Sequence, residues 1–150
     1  MKSTLGKLHI YTDGSKHPDS GKVASTVVYI IPSIQFEKID RLSDRTSIYT
    51  AELLAIKNAM CWINESNHKE SVIFSDSLSS LVSLESNYSQ SRPELLNEIV
   101  IIYNKILNAG KQVTIVWCPA HIGITGNEKA DTAAKAGLNL NNITDQTIFS

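Results

Sequence analysis

Four acidic residues stand close to the expected ends of strands or helices, where α/β proteins commonly place their ligands. They are Asp13, Glu52, Asp76 and Asp131. Carboxylate oxygens are the ligands that Mg²⁺ and Mn²⁺ prefer. Clustered carboxylates repel one another unless a cation lies between them, so a shared site for these four side chains would hold divalent cations. Such cations can activate water for phosphodiester hydrolysis.

Each of the four residues also has a simpler structural explanation when it is considered alone. Asp13-Gly14 is a common turn pair, and Asp76 stands where the N-cap of a following helix is expected. Glu52 suits the positive end of a helix dipole, and Asp131 fits an exposed surface charge. Position alone therefore does not separate a metal site from ordinary local structure.

The first third of the chain predicts three strands joined by short turns. The segments are KLHIYTDG at 7–14, VASTVVYII at 23–31 and IQFEKIDRL at 34–42. In the first segment, Leu8 and Ile10 alternate with His9 and Tyr11, which is the period of a strand. Consecutive strands with short connections favour an antiparallel meander, with Asp13 at the end of its first strand.

The hydrophobic period then changes to that of helices alternating with strands. Leu53, Ile56, Met60 and Ile63 form a helical stripe within about 49–64. The remaining predicted elements are a buried strand at 71–75, a helix at 76–84, a helix from 95 closed by Gly110, a strand at 112–120, and a helix that follows a capping box at 125–128 and ends at 137.

The element order βββαβααβα predicts an α/β protein with a five-stranded mixed sheet and helices on both faces. The 150 residues fit a single domain. We expect its core to span about 7–137. Residues 138–150 show no firm period and predict a frayed tail.

Four motifs occur in order, each on the predicted element that suits it: YTDGS, TAELLAIKNA, FSDSLSSL and PAHIGITGNEKAD. Together they resemble the type I ribonuclease H family over about residues 7–137. The YTAELLAIKNA and PAHIGITGNEKAD segments look most like the ribonuclease H domains of non-LTR retrotransposon polyproteins.

The resemblance implies the ribonuclease H-like fold and hydrolysis of the RNA strand of RNA/DNA hybrids, leaving 5′-phosphate and 3′-hydroxyl ends. It also implies two Mg²⁺ ions, with Mn²⁺ as a substitute. Asp13 would bridge the two ions, Glu52 and Asp76 would complete one ion's shell, and Asp131 would bind the other. His121, in the loop before the last helix, would manage the proton or free the product.

Five further residues are candidate substrate contacts. The main chain of Gly14 and Ser15 would approach the RNA closely, since glycine permits such an approach. The hydroxyls of Ser47 and Ser77 could contact sugar or phosphate, and a capping role suits them equally. Tyr49 could stack on the hybrid, hydrogen-bond to it, or belong to the core.

The charge balance gives little support for tight nucleic-acid binding, because the formal net charge is -1. The basic, Trp-rich extension of many ribonucleases H is replaced here by NYSQSRPE. We therefore expect a reverse transcriptase on the same polypeptide to supply affinity by tethering, in the service of a retroelement. Neither cysteine lies in a zinc-binding spacing.

The chain shows no apolar run of membrane-spanning length and no secretory signal. We therefore expect an intracellular protein, in the cytoplasm or nucleus, that is a monomer as an isolated domain. Two other functions fit part of the pattern. A related nuclease such as a junction resolvase or integrase is disfavoured by GNEKAD, and a non-catalytic hybrid-binding or scaffold module is disfavoured by the presence of all four carboxylates.

Overall fold

A computed structural model describes residues 7–31, 34–119 and 125–139. Its strands are β1 (Leu8–Lys16), β2 (Val23–Ile31), β3 (Ile34–Leu42), β4 (Glu70–Ser75) and β5 (Gln112–Trp117). They form one five-stranded sheet in the order β3-β2-β1-β4-β5. β1, β2 and β3 pair antiparallel, whereas β4 pairs parallel with both β1 and β5. The mixed sheet predicted from the sequence is confirmed.

Helices cover both faces of the sheet. They are α1 (Ile48–Glu65), α2 (Leu78–Ser86), α3 (Pro93–Asn108) and α4 (Thr125–Gly137). Leu8 and Ile10 of β1 pack into the main core cluster with residues of α1 and α3. Tyr11, on the opposite face of β1, packs against Ala130 and Ala133 of α4. The predicted element order and two-sided cover are both confirmed.

The centre of the fold is α1, whose apolar stripe lies against β1 and α3. Leu53, Ile56, Met60 and Ile63 are each at most 1% exposed, as the helical spacing predicts. Ser47 is the N-cap, and its hydroxyl accepts a hydrogen bond from the Thr50 N–H. Capping by a serine satisfies one of the free N–H groups of the first turn.

The structure corrects the predicted end of the first strand. Asp13 pairs with Thr26 and Gly14 pairs with Ser25, and the ladder continues to Lys16 opposite Val23. Asp13-Gly14 is therefore strand rather than turn. Local sequence favours a turn at this pair, but the hydrogen bonds to β2 hold both residues extended.

The predicted helix starts also need correction. α2 begins at Leu78, and its N-cap is Ser77 rather than Asp76. α3 begins at Pro93, two residues before the predicted start, because the missing N–H of proline costs nothing at the first helical position. α4 begins at Thr125 itself.

The C-terminal ends of α3, β5 and α4 differ in how well they match the sequence prediction. Gly110 follows the end of α3 with φ of 78°, the left-handed conformation that ends many helices. β5 ends at Trp117, three residues earlier than predicted. Leu138, assigned to the tail from the sequence, is buried, and residues 140–150 lie outside the described part of the chain.

None of the described helices has the length and apolarity that a bilayer crossing requires.

A buried ammonium group fastens the far end of α1. Lys111, at the start of β5, is 9% exposed. Its Nζ donates hydrogen bonds to the carbonyl oxygens of Ile63, Asn64 and Ser66 at 3.0, 2.9 and 2.5 Å. These carbonyls lie at the negative end of the α1 dipole, where a cation is favourable.

We predict that Lys111→Met destabilises the fold by about 2–3 kcal/mol, because it leaves buried carbonyls without their charged donor. Urea denaturation followed by circular dichroism measures the change. The exposed Lys105 of α3 provides a matched control, and Lys105→Met should cost less than about 0.5 kcal/mol. Equal losses in the two variants would contradict the role assigned to Lys111.

Candidate metal centre

Three carboxylates converge where the parallel pairing of β1 with β4 ends. Thr12 of β1 lies opposite Ser75, the last residue of β4, so Asp13 and Asp76 are the next residues on the two neighbouring segments. Glu52 reaches the same place from the second turn of α1. One carboxylate oxygen from each of the three residues lies within 4.8 Å of the others, which is close enough to share a cation.

Gly14 allows α1 to approach β1 this closely. A Cβ at this position would lie 3.0 Å from both the Ala51 Cβ and the Glu52 nitrogen. The Gly14 N–H donates to Glu52 Oε1 at 3.0 Å and to Asp13 Oδ1 at 2.9 Å. A single peptide group thus orients two of the three carboxylates.

The electrostatics of the cluster favour a bound cation. Asp13 and Glu52 are 3% and 6% exposed, while Asp76 is half-buried. Burial raises the pKa of Glu52 well above its usual range, and the charges of Asp13 and Asp76 raise it further. The Gly14 N–H acts in the opposite direction.

The donor set fits a hard divalent cation. Among the described residues, the buried Glu52 Oε2 has no hydrogen-bond donor, so a lone pair is available inside the cluster. All the converging ligand atoms are carboxylate oxygens, which Mg²⁺ and Mn²⁺ prefer. A cation here would replace carboxylate repulsion by coordination.

The cluster opens into a groove of about 370 Å³ that a phosphodiester backbone could enter. Its walls are Asp13, Gly14, Ser15, Lys16, Ile48, Tyr49, Glu52, Asp76, Ser77 and Ser79. Four of the candidate contacts lie here, namely Gly14, Ser15, Tyr49 and Ser77. Sequence reasoning missed Lys16, Ile48 and Ser79; Lys16 would have been found had the first strand been extended past Gly14.

The serine hydroxyls at this edge already have structural partners. Ser47 Oγ caps α1 and is also 2.9 Å from the Thr50 hydroxyl. Ser77 Oγ accepts from the Ser80 N–H at 3.4 Å. Ser47 is not among the residues that line the groove. Their capping role is therefore visible, and contact with a substrate would use the remaining capacity of each oxygen.

Of the five expected catalytic residues, two have side chains outside the described part of the structure. Asp131 is a residue of α4, and the structure describes its main chain but not its side chain. His121 lies outside the described residues altogether. Cys61 and Cys118 are free thiols.

We predict that Gly14→Ala lowers stability by about 1–3 kcal/mol, because the added methyl pushes α1 away from β1. The same displacement should weaken the stabilisation that Mg²⁺ gives, measured as a shift in melting temperature. Gly21→Ala is the comparison, since Gly21 has φ of 75° and nothing within 4 Å of its Cβ position. That variant should lose about 1–2 kcal/mol through backbone strain and keep the full Mg²⁺ response.

We predict that Glu52→Gln makes the metal-free protein more stable at neutral pH by about 1–2 kcal/mol. The raised folded-state pKa of Glu52 means that ionising this group costs folding free energy as the pH rises from the unfolded-state value through the folded one. The gain should therefore vanish in acid, where both proteins are uncharged at this position. Denaturation in EDTA across the pH range measures it. A constant difference at every pH would contradict the electrostatic origin.

Comparison with known proteins places the fold and the family. Residues 6–139 match the family model described as RNase H. The structure is similar to that of RNase H1 from the halophilic archaeon Halobacterium salinarum NRC-1, with a TM-score of 0.67 and 22% sequence identity over 89% of this chain and 98% of that one. The structural likeness agrees with the five-stranded sheet and its helices, and the family match extends over most of the sequence. The chain belongs to the ribonuclease H family.

Proposed function

We propose that this protein is an endonuclease that hydrolyses the RNA strand of RNA/DNA hybrids with the help of two divalent cations. The observation that carries the proposal is the convergence of Asp13, Glu52 and Asp76 within 4.8 Å at the floor of an open groove. Membership of the ribonuclease H family supplies the substrate class. The products would carry 5′-phosphate and 3′-hydroxyl ends.

The roles proposed for the acidic residues are those that the resemblance to the ribonuclease H family implies. When bound, two Mg²⁺ ions supply an activated water and stabilise the departing 3′-oxygen, and Mn²⁺ would serve as a substitute. Asp13, which is buried and lies on β1, the central strand of the sheet, would be the shared ligand. Glu52 and Asp76 would bind one ion, and Asp131 the other. His121 would accept or return a proton, or assist product release.

Main-chain and hydroxyl groups near the carboxylates would contact different parts of the substrate. The main chain at Gly14 and Ser15 would lie against the RNA sugars, because both residues line the groove beside the carboxylates. Ser47 and Ser77 would add hydroxyl contacts to sugar or phosphate. Tyr49 forms part of the wall beside them.

The surface beside the site has few cationic side chains to bind the hybrid, so affinity for the hybrid would come from another domain. Residues 70–91, which include β4 and α2, contain no lysine or arginine. Phosphate binding depends on such residues. We therefore propose that the domain, monomeric by itself, works in tandem with a reverse transcriptase on the same polypeptide, in the reverse transcription of a retroelement inside the cell.

A labelled RNA/DNA hybrid on a denaturing gel tests the proposed activity. We predict cleavage of the RNA strand with Mg²⁺, none with EDTA, and a loss of about 100-fold or more in rate for Asp13→Asn and Asp76→Asn. Asp19→Asn, in the exposed β1–β2 turn, is the matched control and should keep the wild-type rate.

The other outcomes of this assay separate the competing functions. Full activity of Asp76→Asn would refute the metal centre. Hybrid binding without cleavage by the wild-type protein would indicate a scaffold module. Cleavage of duplex DNA in place of the hybrid would indicate a nuclease of the resolvase or integrase type.

A further inference from the structure

α2 is held to the body of the protein by little apolar burial. Of its nine residues, only Ser80 is fully buried. A groove of about 520 Å³ runs along one flank, where Leu81 and Leu84 face α3 and β5. A second groove of about 360 Å³ runs along the other flank, beside Val82, Ser83 and Ser86. Leu81 and Leu84 pack against the main core as partly buried side chains, and hydrogen bonds add to this packing in positioning α2.

One side chain of α1 makes such bonds to α2 and to the segment that follows it. The Tyr49 hydroxyl lies 2.7 Å from Ser83 Oγ and 2.9 Å from Ser89 Oγ. Ser89 is buried, and its Oγ also accepts from the Arg92 N–H at 3.0 Å. Both hydrogen-bonding capacities of the tyrosine hydroxyl are thus used within the protein.

This hydroxyl joins α1, which carries Glu52, to α2, the helix that follows Asp76. Tyr49 lies one turn before Glu52 on α1, and Ser83 lies on the helix that begins directly after Asp76 and its N-cap Ser77. The Tyr49–Ser83 bond therefore spans the gap between the supports of Glu52 and Asp76.

We propose that Tyr49 is a positioning residue that sets the separation of Glu52 and Asp76, and through it the affinity of the site for divalent cations. The inference rests on the proposed metal-dependent function. It assigns the Tyr49 hydroxyl to the protein's own architecture, whereas stacking on the hybrid would make the residue a substrate contact.

Removal of the hydroxyl alone tests the proposal. Mn²⁺ is titrated into the 150-residue protein without nucleic acid, and free Mn²⁺ is followed by electron paramagnetic resonance. Tyr49→Phe should raise the Mn²⁺ dissociation constant about threefold to tenfold, the range expected when one or two neutral hydrogen bonds are lost. Ser83→Ala removes the same bond from the other side and should give an effect of the same sign. Tyr103→Phe, on the exposed side of α3, is the matched control and should not change the constant.

The two readings of Tyr49 also differ in kinetics and in additivity. A positioning role predicts that Tyr49→Phe needs more Mg²⁺ for half-maximal cleavage, while the KM for hybrid at saturating Mg²⁺ is unchanged. The double variant Tyr49→Phe/Ser83→Ala should lose little more than the worse single variant, because each substitution removes the Tyr49–Ser83 bond. A raised KM with unchanged Mn²⁺ affinity, or no change in either, would overturn the proposal.

The wild-type measurements keep this test separate from that of the proposed function. Mn²⁺ binding without hybrid cleavage would remove the proposed activity and leave the positioning role to be decided by the variants. Failure of the wild-type protein to bind Mn²⁺ would overturn the metal centre and the positioning role together.

Discussion

The contact between Gly14 and the second turn of α1 determines where the acidic side chains meet. A strand and a helix can approach this closely only where one of them lacks a side chain. The Gly14 N–H then serves both Asp13 and Glu52. The order of the strands brings Asp76 alongside, since β4 is the parallel neighbour of β1. The centre thus depends on one glycine and one strand pairing.

The clustered carboxylates lower the stability of the metal-free protein and favour the binding of a cation. Burial and neighbouring charge disfavour ionised Glu52 in the metal-free protein. Ionisation of this group therefore lowers the free energy of unfolding. The surrounding fold tolerates it because α1 is fixed elsewhere, through a fully apolar stripe, the Ser47 cap and the Lys111 contacts. A helix held by these contacts can keep an unfavourably buried charge in a fixed position.

The sequence was sufficient for the order of elements, because periodicity reports which side chains are buried. The motifs also pointed to Asp13, Glu52 and Asp76, which the structure brings together. The sequence was misleading at Asp13-Gly14, where local preference favours a turn but pairing with β2 overrides it, and at Asp76, where the cap is one residue later. The Tyr49 hydrogen bonds join residues 34 and 40 positions apart, and no local pattern predicts such a pairing.

The Lys111 ammonium has a consequence for how the molecule opens. It joins the end of α1 to the junction of α3 and β5, segments about 45 residues apart in the chain. Proteins open locally in cooperative units, and regions with few buried apolar contacts open first. α1, the end of α3 and β5 should then form a slowly exchanging body. α2, with a single fully buried residue, belongs to the faster-exchanging layer above it, so the acidic centre lies at the boundary between a rigid part of the protein and a more mobile one.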